Sequence, residues 1–208
     1  MRNFEPSLPI DAVLPRICST LGQSNLVLSS PPGSGKTTRV PLALLDESWL
    51  AGRKIIMLEP RRPAARMAAH HMASLLGQKV GDQVGYQVRF ERQIGPDTRI
   101  EVLTEGLLTR RLQQDPELAG VGVVIFDEFH ERSLVADLGL ALCLDVCTSL
   151  REDLRLLVMS ATLDEAQVSG LMDGLVVRGD GGLHPVRKHF LASSRRVDTV
   201  PLTCRLVQ

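Results

Sequence analysis

The sequence has no long hydrophobic run, since no apolar stretch in its 208 residues approaches the ~20 residues of a membrane span. Residues 1–25 lack the basic and then apolar pattern of a secretory signal. Internal repeats and low-complexity segments are also absent. The apolar content of 44% and the charged content of 23% are ordinary for a soluble globular protein. We therefore expect one large domain with a full hydrophobic core.

Cysteine is scarce and forms no Cys-x-x-Cys pair. Cys143 and Cys147 are four residues apart in an apolar stretch, which favours buried positions on a helix over metal ligation. This cysteine usage is typical of a reducing compartment, so we expect a cytoplasmic protein. The four cysteines are Cys18, Cys143, Cys147 and Cys204.

The chain also lacks net charge, but its charges are unevenly distributed. Residues Arg53–Arg92 contain eight lysines and arginines against three acidic residues. Residues Gln113–Asp173 contain twelve acidic residues against three arginines. Because local patches decide contact with nucleic acid, zero net charge does not exclude it; each cluster could equally be a solvated charged face.

Short apolar runs alternate with segments of helical periodicity, which indicates an α/β fold with a mainly parallel sheet and helices on both faces. A Pro-rich start reads as a lead-in followed by a short helix, and the periodicity weakens from Gly179 onward. The predicted helices are Thr37–Leu45, Ala64–Leu76, Glu105–Gln113 and Leu134–Leu150. The predicted strands are Leu26–Leu28, Ile55–Leu58, Ile100–Leu103, Val121–Phe126, Leu154–Met159 and Leu175–Val177.

A Gly-rich segment directly follows the first predicted strand and precedes a predicted helix. In this arrangement backbone N–H groups cradle a triphosphate, Lys36 reaches the β- and γ-phosphates, and Thr37 can hold Mg²⁺. Ser30 stands where the usual pattern has glycine. Judged by itself, the segment could therefore also be a Gly-Lys loop that precedes a helix and binds no ligand. The predicted phosphate-binding residues are Ser30, Pro31, Pro32, Gly33, Ser34, Gly35, Lys36, Thr37 and Thr38.

Polar residues follow two further predicted strands at the same edge of the sheet. Asp127 can hold Mg²⁺, through water, and Glu128 can activate an attacking water molecule. His130 is a candidate sensor of the phosphates or a packing residue. Ser160 and Thr162 could report the nucleotide state, and a helix cap before residues 164–167 is the competing interpretation.

Taken in order, these segments resemble the first RecA-like domain of superfamily 2 helicases of the DEAH/DExH class. The resemblance implies a RecA-like P-loop NTPase domain that uses ATP and Mg²⁺ and acts on single-stranded RNA, with single-stranded DNA as the alternative. The matching segments are Ser30–Thr38, Glu59–Arg62, Thr104–Gly106, Asp127–His130 and Ser160–Thr162, with further matches at Val84–Phe90, Glu131–Ser133 and Ala136–Asp145.

The resemblance further implies which residues contact a nucleic-acid strand and what completes the enzyme. Guanidinium and backbone N–H groups in two of the segments would contact the strand backbone, which gives sequence-tolerant binding. For Arg61 and Arg62 an exposed helix start is the competing interpretation. For residues Tyr86–Phe90 we expect a core hairpin, and a binding surface is the alternative. The implied strand contacts are Pro60, Arg61, Arg62, Thr104, Glu105 and Gly106.

A second RecA-like domain in this family supplies the arginines of a Gln-x-x-Gly-Arg-x-Gly-Arg motif, which these 208 residues do not contain. Loss of an arginine finger typically costs ~10³–10⁵ in turnover, so we expect this chain alone to bind ATP weakly and hydrolyse it slowly. Residues 1–178 are expected to be the ATP-binding domain. Residues 179–208 are expected to be a linker or the start of the second domain, which would be a partner of this one.

Two other classes of function remain open from the sequence. A P-loop kinase or nucleotide switch would not require the segments at residues 60–62 and 104–106. A non-catalytic RNA-binding module would not depend on Glu128.

Overall fold

The fold is built on one eight-stranded β-sheet. The computed structural model describes residues 5–161 and 164–180. In chain order the strands are β1 (Leu26–Ser29), β2 (Lys54–Glu59), β3 (Val84–Val88), β4 (Glu91–Gln93), β5 (Ile100–Thr104), β6 (Val121–Phe126), β7 (Arg155–Ser160) and β8 (Leu175–Arg178).

The strands lie in the order β4-β3-β5-β2-β6-β7-β1-β8. β4 pairs antiparallel with β3, and the other neighbouring strands described in the sheet are parallel. Each predicted apolar run forms one of these strands. Val121–Phe126 is buried along its whole length, as expected for a central parallel strand with helices on both faces.

Helices cover both faces of the sheet. The first three pack with one side of the strands into one hydrophobic core, and the last three pack with the other side into a second core. The predicted α/β fold is therefore confirmed. The helices are α1 (Leu14–Leu21), α2 (Lys36–Leu44), α3 (Arg62–Leu75), α4 (Glu105–Gln114), α5 (Leu134–Ser149) and α6 (Glu165–Met172), and short 3₁₀ helices occupy Pro9–Val13, Ser48–Leu50 and Phe129–Glu131.

The segment before α1 packs on the start of α2. The backbone N–H of Ile10 donates to the carbonyl of Ser34 at 3.1 Å. The buried Arg39 of α2 donates to the carbonyl of Pro6 at 2.9 Å. Glycine suits position 35 because its φ is 95° and because a Cβ atom there would lie 2.6 Å from Leu8 Cδ1. The N-terminal segment thus fixes the loop between β1 and α2.

Two expectations need correction. Tyr86 and Val88 are core residues of the β3–β4 hairpin, but Phe90 is 89% exposed, so the hairpin is not wholly core. The N-cap of α6 is Asp164, whose side chain accepts from the N–H of Gln167. Ser160 ends β7 and does not cap this helix, because the chain continues past it before α6 begins.

Three further expectations concern the cysteines, membrane-spanning helices and the C-terminal segment. Cys143 is buried in α5 and Cys147 is partly buried there, as predicted for helix positions. Among the described residues no helix has both the length and the apolar character needed to cross a bilayer. Residues 181–208, and with them most of the expected linker, lie outside the described part of the chain.

Candidate functional site

The carboxyl ends of the parallel strands bring the predicted site residues to one edge of the sheet, which we call the rim. The register aligns Ser29 of β1 with Ser160 of β7, and Glu59 of β2 with Thr104 of β5. The N–H of Asp127, just after β6, donates to the carbonyl of Leu58 in β2 at 3.1 Å. Loops from distant parts of the sequence therefore meet at the rim, where ligands of such sheets bind.

The loop between β1 and α2 turns sharply through two glycines with positive φ, Gly33 at 76° and Gly35 at 95°. These left-handed conformations suit glycine because it has no Cβ atom. The N–H of Ser30 donates to the carbonyl of Ser160 at 3.0 Å, which anchors the loop to β7. α2 begins at Lys36, so the free N–H groups of its first turn lie at the rim, where an anion is favoured.

Lys36 lies against the acidic residues that follow β6. Its Nζ donates to Glu128 Oε1 at 2.9 Å, and the lysine is only 3% exposed. The structure thus brings the two segments together as predicted. A buried ammonium is costly without a partner, so Glu128 stabilises Lys36 when no phosphate is present.

Glu128 has an unusual backbone and two polar neighbours. Its φ of 48° lies in the left-handed region, which is uncommon for a residue other than glycine. Its N–H donates to Asp127 Oδ1 at 2.8 Å, and His130 Nδ1 lies 3.2 Å from Glu128 Oε2. Strained backbone of this kind clusters at functional sites because the surrounding structure must hold it.

Asp127 and Glu59 form a buried carboxyl pair that the sequence did not reveal. Burial and the charges of Asp127 and Glu128 raise the pKa of Glu59 to about 9, so this carboxyl holds a proton at neutral pH. Burial also raises the pKa of Asp127, while the Thr37 hydroxyl and the Lys36 charge act in the opposite direction. Among the described residues Glu59 Oε1 and Asp127 Oδ2 lack hydrogen bonds to other groups. A protonated Glu59 can satisfy both by donating to Asp127.

The third polar segment is only partly described. Ser160 is fully buried at the end of β7, and its hydroxyl has no partner within the described part of the chain. β7 lies between β1, which leads into the glycine-rich loop, and β6, which leads into Asp127 and Glu128. Thr162 lies outside the described residues, so its predicted role stays a prediction.

The residues predicted to contact a nucleic-acid strand lie on the adjoining part of the rim. Arg61 forms a two-pronged pair with Glu131, with nitrogen–oxygen distances of 3.0 to 3.2 Å. Arg62 begins α3 and is exposed, whereas Pro60 is half-buried. Thr104 is the N-cap residue of α4, and Gly106 is exposed in its first turn. Glu105 accepts from the Ser133 hydroxyl at 2.5 Å, so its carboxylate joins the start of α4 to the start of α5. Its predicted contact with nucleic acid stays a prediction.

The turn between β3 and β4 adds two residues to this part of the rim. β3 runs parallel to β5, so Arg89 and Phe90 follow its carboxyl end beside Thr104. The guanidinium of Arg89 lies 4.7 Å from the centre of the exposed Phe90 ring. The sequence signal that could have identified them is an Arg-Phe pair at the end of a strand, where a turn exposes both.

The comparisons with known proteins agree with this arrangement. The model of the family described as DEAD/DEAH box helicase matches residues 11–169. The ATP-dependent RNA helicase HrpB of Escherichia coli (strain K12) is 53% identical over 187 residues, which is 89% of this chain and 23% of that protein. The DExH-box ATP-dependent RNA helicase DExH3 of Arabidopsis thaliana is 38% identical over 92% of this chain and 16% of its own length.

A solved structure shows the same fold. The crystal structure of the E. coli DEAH/RHA helicase HrpB superposes with a TM-score of 0.88 at 49% sequence identity, over 97% of this chain and 26% of that chain. The predicted RecA-like fold is confirmed by this match. The chain spans about a quarter or less of the length of these relatives.

Proposed function

Because the chain belongs to the DEAD/DEAH box helicase family, we propose that it is the first RecA-like, ATP-binding domain of an ATP-dependent RNA helicase. The observation that carries this proposal is the contact of Lys36 with Glu128, beside Asp127, at the same rim as Arg61 and Thr104. Residues 1–178 form the proposed domain, and residues 179–208 are proposed as a linker to a second RecA-like domain or as the start of that domain.

The loop at residues 30–38 binds the triphosphate of ATP. Backbone N–H groups around Gly33 and Gly35 face the phosphates, and Lys36 exchanges its contact with Glu128 for the β- and γ-phosphate oxygens. This exchange replaces one charge-assisted hydrogen bond by others of similar strength, so it frees Glu128 without leaving a buried ammonium unpaired.

Thr37 and Asp127 have the ligand chemistry for Mg²⁺, which favours oxygen and keeps several water molecules. Apart from the proton of Glu59 assigned above, the buried Oδ2 of Asp127 has no hydrogen bond among the described residues, and Thr37 opens α2 directly after Lys36. Asp127 would hold the ion through water. When bound, Mg²⁺ neutralises charge that develops between the phosphates.

Glu128 is the proposed base that orients and deprotonates the attacking water. His130, 3.2 Å from Glu128, positions its carboxylate after Lys36 has turned to the phosphates. Ser160 ends β7, the strand between β1 and β6. Ser160 and, two residues further along the chain, Thr162 couple the nucleotide state to movement of the RNA strand.

Single-stranded RNA runs along the other part of the rim. Arg61 and Arg62 contact the phosphates of the RNA. Pro60, Thr104 and Gly106 form the surface against which the RNA backbone lies. Glu105 keeps the start of α4 in place. Contacts of this kind bind without sequence preference and weaken with salt. Opening and closing against the second RecA-like domain converts hydrolysis into translocation and unwinding.

The decisive experiment separates nucleotide binding from hydrolysis. In a longer chain that adds a second RecA-like domain, Glu128→Gln should leave ATP affinity close to wild type and lower RNA-stimulated turnover by about 10²–10⁴, as expected for loss of a general base. Glu152→Gln removes an exposed carboxylate away from the rim and serves as the control.

The same assay distinguishes the competing functions. Unchanged turnover in Glu128→Gln contradicts the catalytic assignment, and ATP binding without RNA binding favours a kinase or switch. Residues 1–208 alone should hydrolyse ATP slowly with or without RNA, because the arginines of the second domain are missing. Robust RNA-stimulated turnover by residues 1–208 contradicts that expectation.

A further inference from the structure

A polar pocket of about 430 Å³ opens beside α4, below the rim. It lies on the face of the sheet that carries α4, over β2, β3, β4 and β5. α4 packs mainly on α5 and, within the sheet, on β5 and β2. We call it the basic pocket. Its charged lining residues are Lys54, Arg92, Glu101, Arg110 and Arg111, and Gln87 and Gln114 are also polar.

The floor of the basic pocket is a buried ion-pair network built from the sheet. Ile100 and Val102 face the core beneath α1–α3, so the alternation of β5 turns Glu101 toward α4. Glu101 is 4% exposed; its Oε1 accepts from Lys54 Nζ at 2.6 Å and its Oε2 from Arg111 Nη1 at 2.5 Å. Burial raises the pKa of Glu101, but the hydrogen bonds and charges of Lys54 and Arg111 outweigh it and lower the pKa overall.

The mouth of the basic pocket carries two further cations. Arg92 and Arg110 are exposed, and neither guanidinium group has an ion-pair or hydrogen-bond partner in the part of the chain that the structure describes. With Lys54 and Arg111 they give four cations against one carboxylate, and both oxygens of that carboxylate are already occupied. An anion that enters meets unpaired guanidinium groups and no competing acid from the lining.

We propose that the basic pocket binds phosphate groups of nucleic acid and extends the strand path from the rim along α4. This inference rests on the proposed function, because it assigns a second contact region to the same substrate. α4 begins at Glu105 on the rim, and Arg110 lies about 8 Å further along the helix axis at 1.5 Å per residue. Arginine forks match phosphate oxygens, and the continuity with the rim favours nucleic acid over an acidic protein.

The test compares a short single-stranded RNA that covers only the rim with a longer one, over a range of salt concentrations. Arg92→Ala combined with Arg110→Ala should lower the salt slope of the longer RNA by about 1.4, because each contact with a single strand contributes about 0.7. The slope for the short RNA should not change. Arg92→Lys combined with Arg110→Lys should keep most of the wild-type slope.

The matched control is Arg16→Ala combined with Lys79→Ala, which removes the same charge from exposed sites outside the basic pocket. An equal loss of slope in this control, or no loss in the pocket variant, overturns the proposal. The proposal is also overturned if the pocket variant loses binding of polyglutamate or of inorganic phosphate but binds the longer RNA as the wild type does. If the wild-type chain fails to bind even the short RNA, the proposed function itself fails; if the short RNA binds and the pocket variant behaves as wild type, only this inference fails.

Discussion

The rim holds its charged groups in two contrasting ways. At the end of the rim where we propose that the nucleotide binds, Lys36 is 3% exposed and Asp127 is also 3% exposed, and both lie within a network of carboxyl groups. At the nucleic-acid end the Arg61 side chain is 71% exposed and Phe90 is 89% exposed. Buried charges are held in fixed positions because losing a partner is costly, whereas exposed ion pairs contribute little and exchange readily.

This contrast fits the ligands proposed for each end. A triphosphate needs a rigid site that distinguishes one phosphate position from another, and the glycine loop with Lys36 has the rigidity that the proposed role requires. A moving strand needs contacts that form and break repeatedly, and exposed arginines and an exposed ring provide those. The predictions below compare the two ends, beginning with the buried one.

Lys36→Ala should cause the largest loss of binding. The variant removes a lysine that would make charged hydrogen bonds to two phosphates, and at ~1.5 kcal/mol each the loss is about 3 kcal/mol. We therefore expect ATP affinity to fall about a hundredfold, measured by equilibrium titration with ATP. RNA affinity without nucleotide should stay within about twofold, because the lysine does not reach the other end of the rim.

The control for this prediction is Lys79→Ala, which removes an exposed lysine outside the rim. Its ATP affinity should match that of the wild-type chain. Equal affinities of Lys36→Ala and wild type for ATP would show that the loop does not bind the phosphates.

The two ends also differ in how well the sequence predicts them. Strands such as Val121–Phe126 were predictable because a strand buried on both faces must be apolar throughout. The meeting of Lys36 with Glu128 followed from parallel strands that end at one edge. The protonation of Glu59 was not predictable, since it depends on β2 lying beside β6 and on burial of the two carboxyl groups together.

At the exposed end the sequence was less informative. Val84, Tyr86 and Val88 alternate toward the core, and the same alternation carried on to Phe90 predicts a buried ring. Phe90 is exposed instead, because its φ of 69° turns the chain out of the strand conformation. The pairing of Arg61 with Glu131 joins residues far apart in the sequence, and only the three-dimensional course of both loops defines it.

Phe90→Ala should have an intermediate effect, confined to nucleic acid. A base stacked on an aromatic side chain is worth about 1–3 kcal/mol, so we expect single-stranded RNA to bind about tenfold more weakly. ATP affinity should not change. Fluorescence anisotropy with a labelled single strand measures the first quantity, and titration with ATP measures the second.

Two control variants make this result specific. Phe90→Trp keeps an aromatic surface and should keep most of the affinity. Leu175→Ala removes an apolar side chain that is 57% exposed on β8, at the opposite end of the sheet, and should leave RNA binding unaltered. If Phe90→Ala binds RNA as the wild type does, the β3–β4 turn is not part of the strand path.

Glu131→Gln should have the smallest effect, and in the opposite direction. Arg61 must leave Glu131 before it can contact a phosphate, and an exposed ion pair of this kind is worth about 0.2–1 kcal/mol. Removing the negative charge should therefore strengthen RNA binding by up to about fivefold. Glu165→Gln releases Arg178, another exposed arginine, on β8, and should give no gain.

A gain in Glu131→Gln has two physical explanations, and a double-mutant cycle separates them. If the gain comes from releasing Arg61, it disappears when Glu131→Gln is combined with Arg61→Ala, because no guanidinium remains to be released. If it comes from weaker repulsion between a carboxylate and the strand, it persists in the Arg61→Ala background and fades with salt. Persistence of the full gain would mean that Glu131 does not restrain Arg61, and that the exposed end of the rim is as preorganised as the buried one.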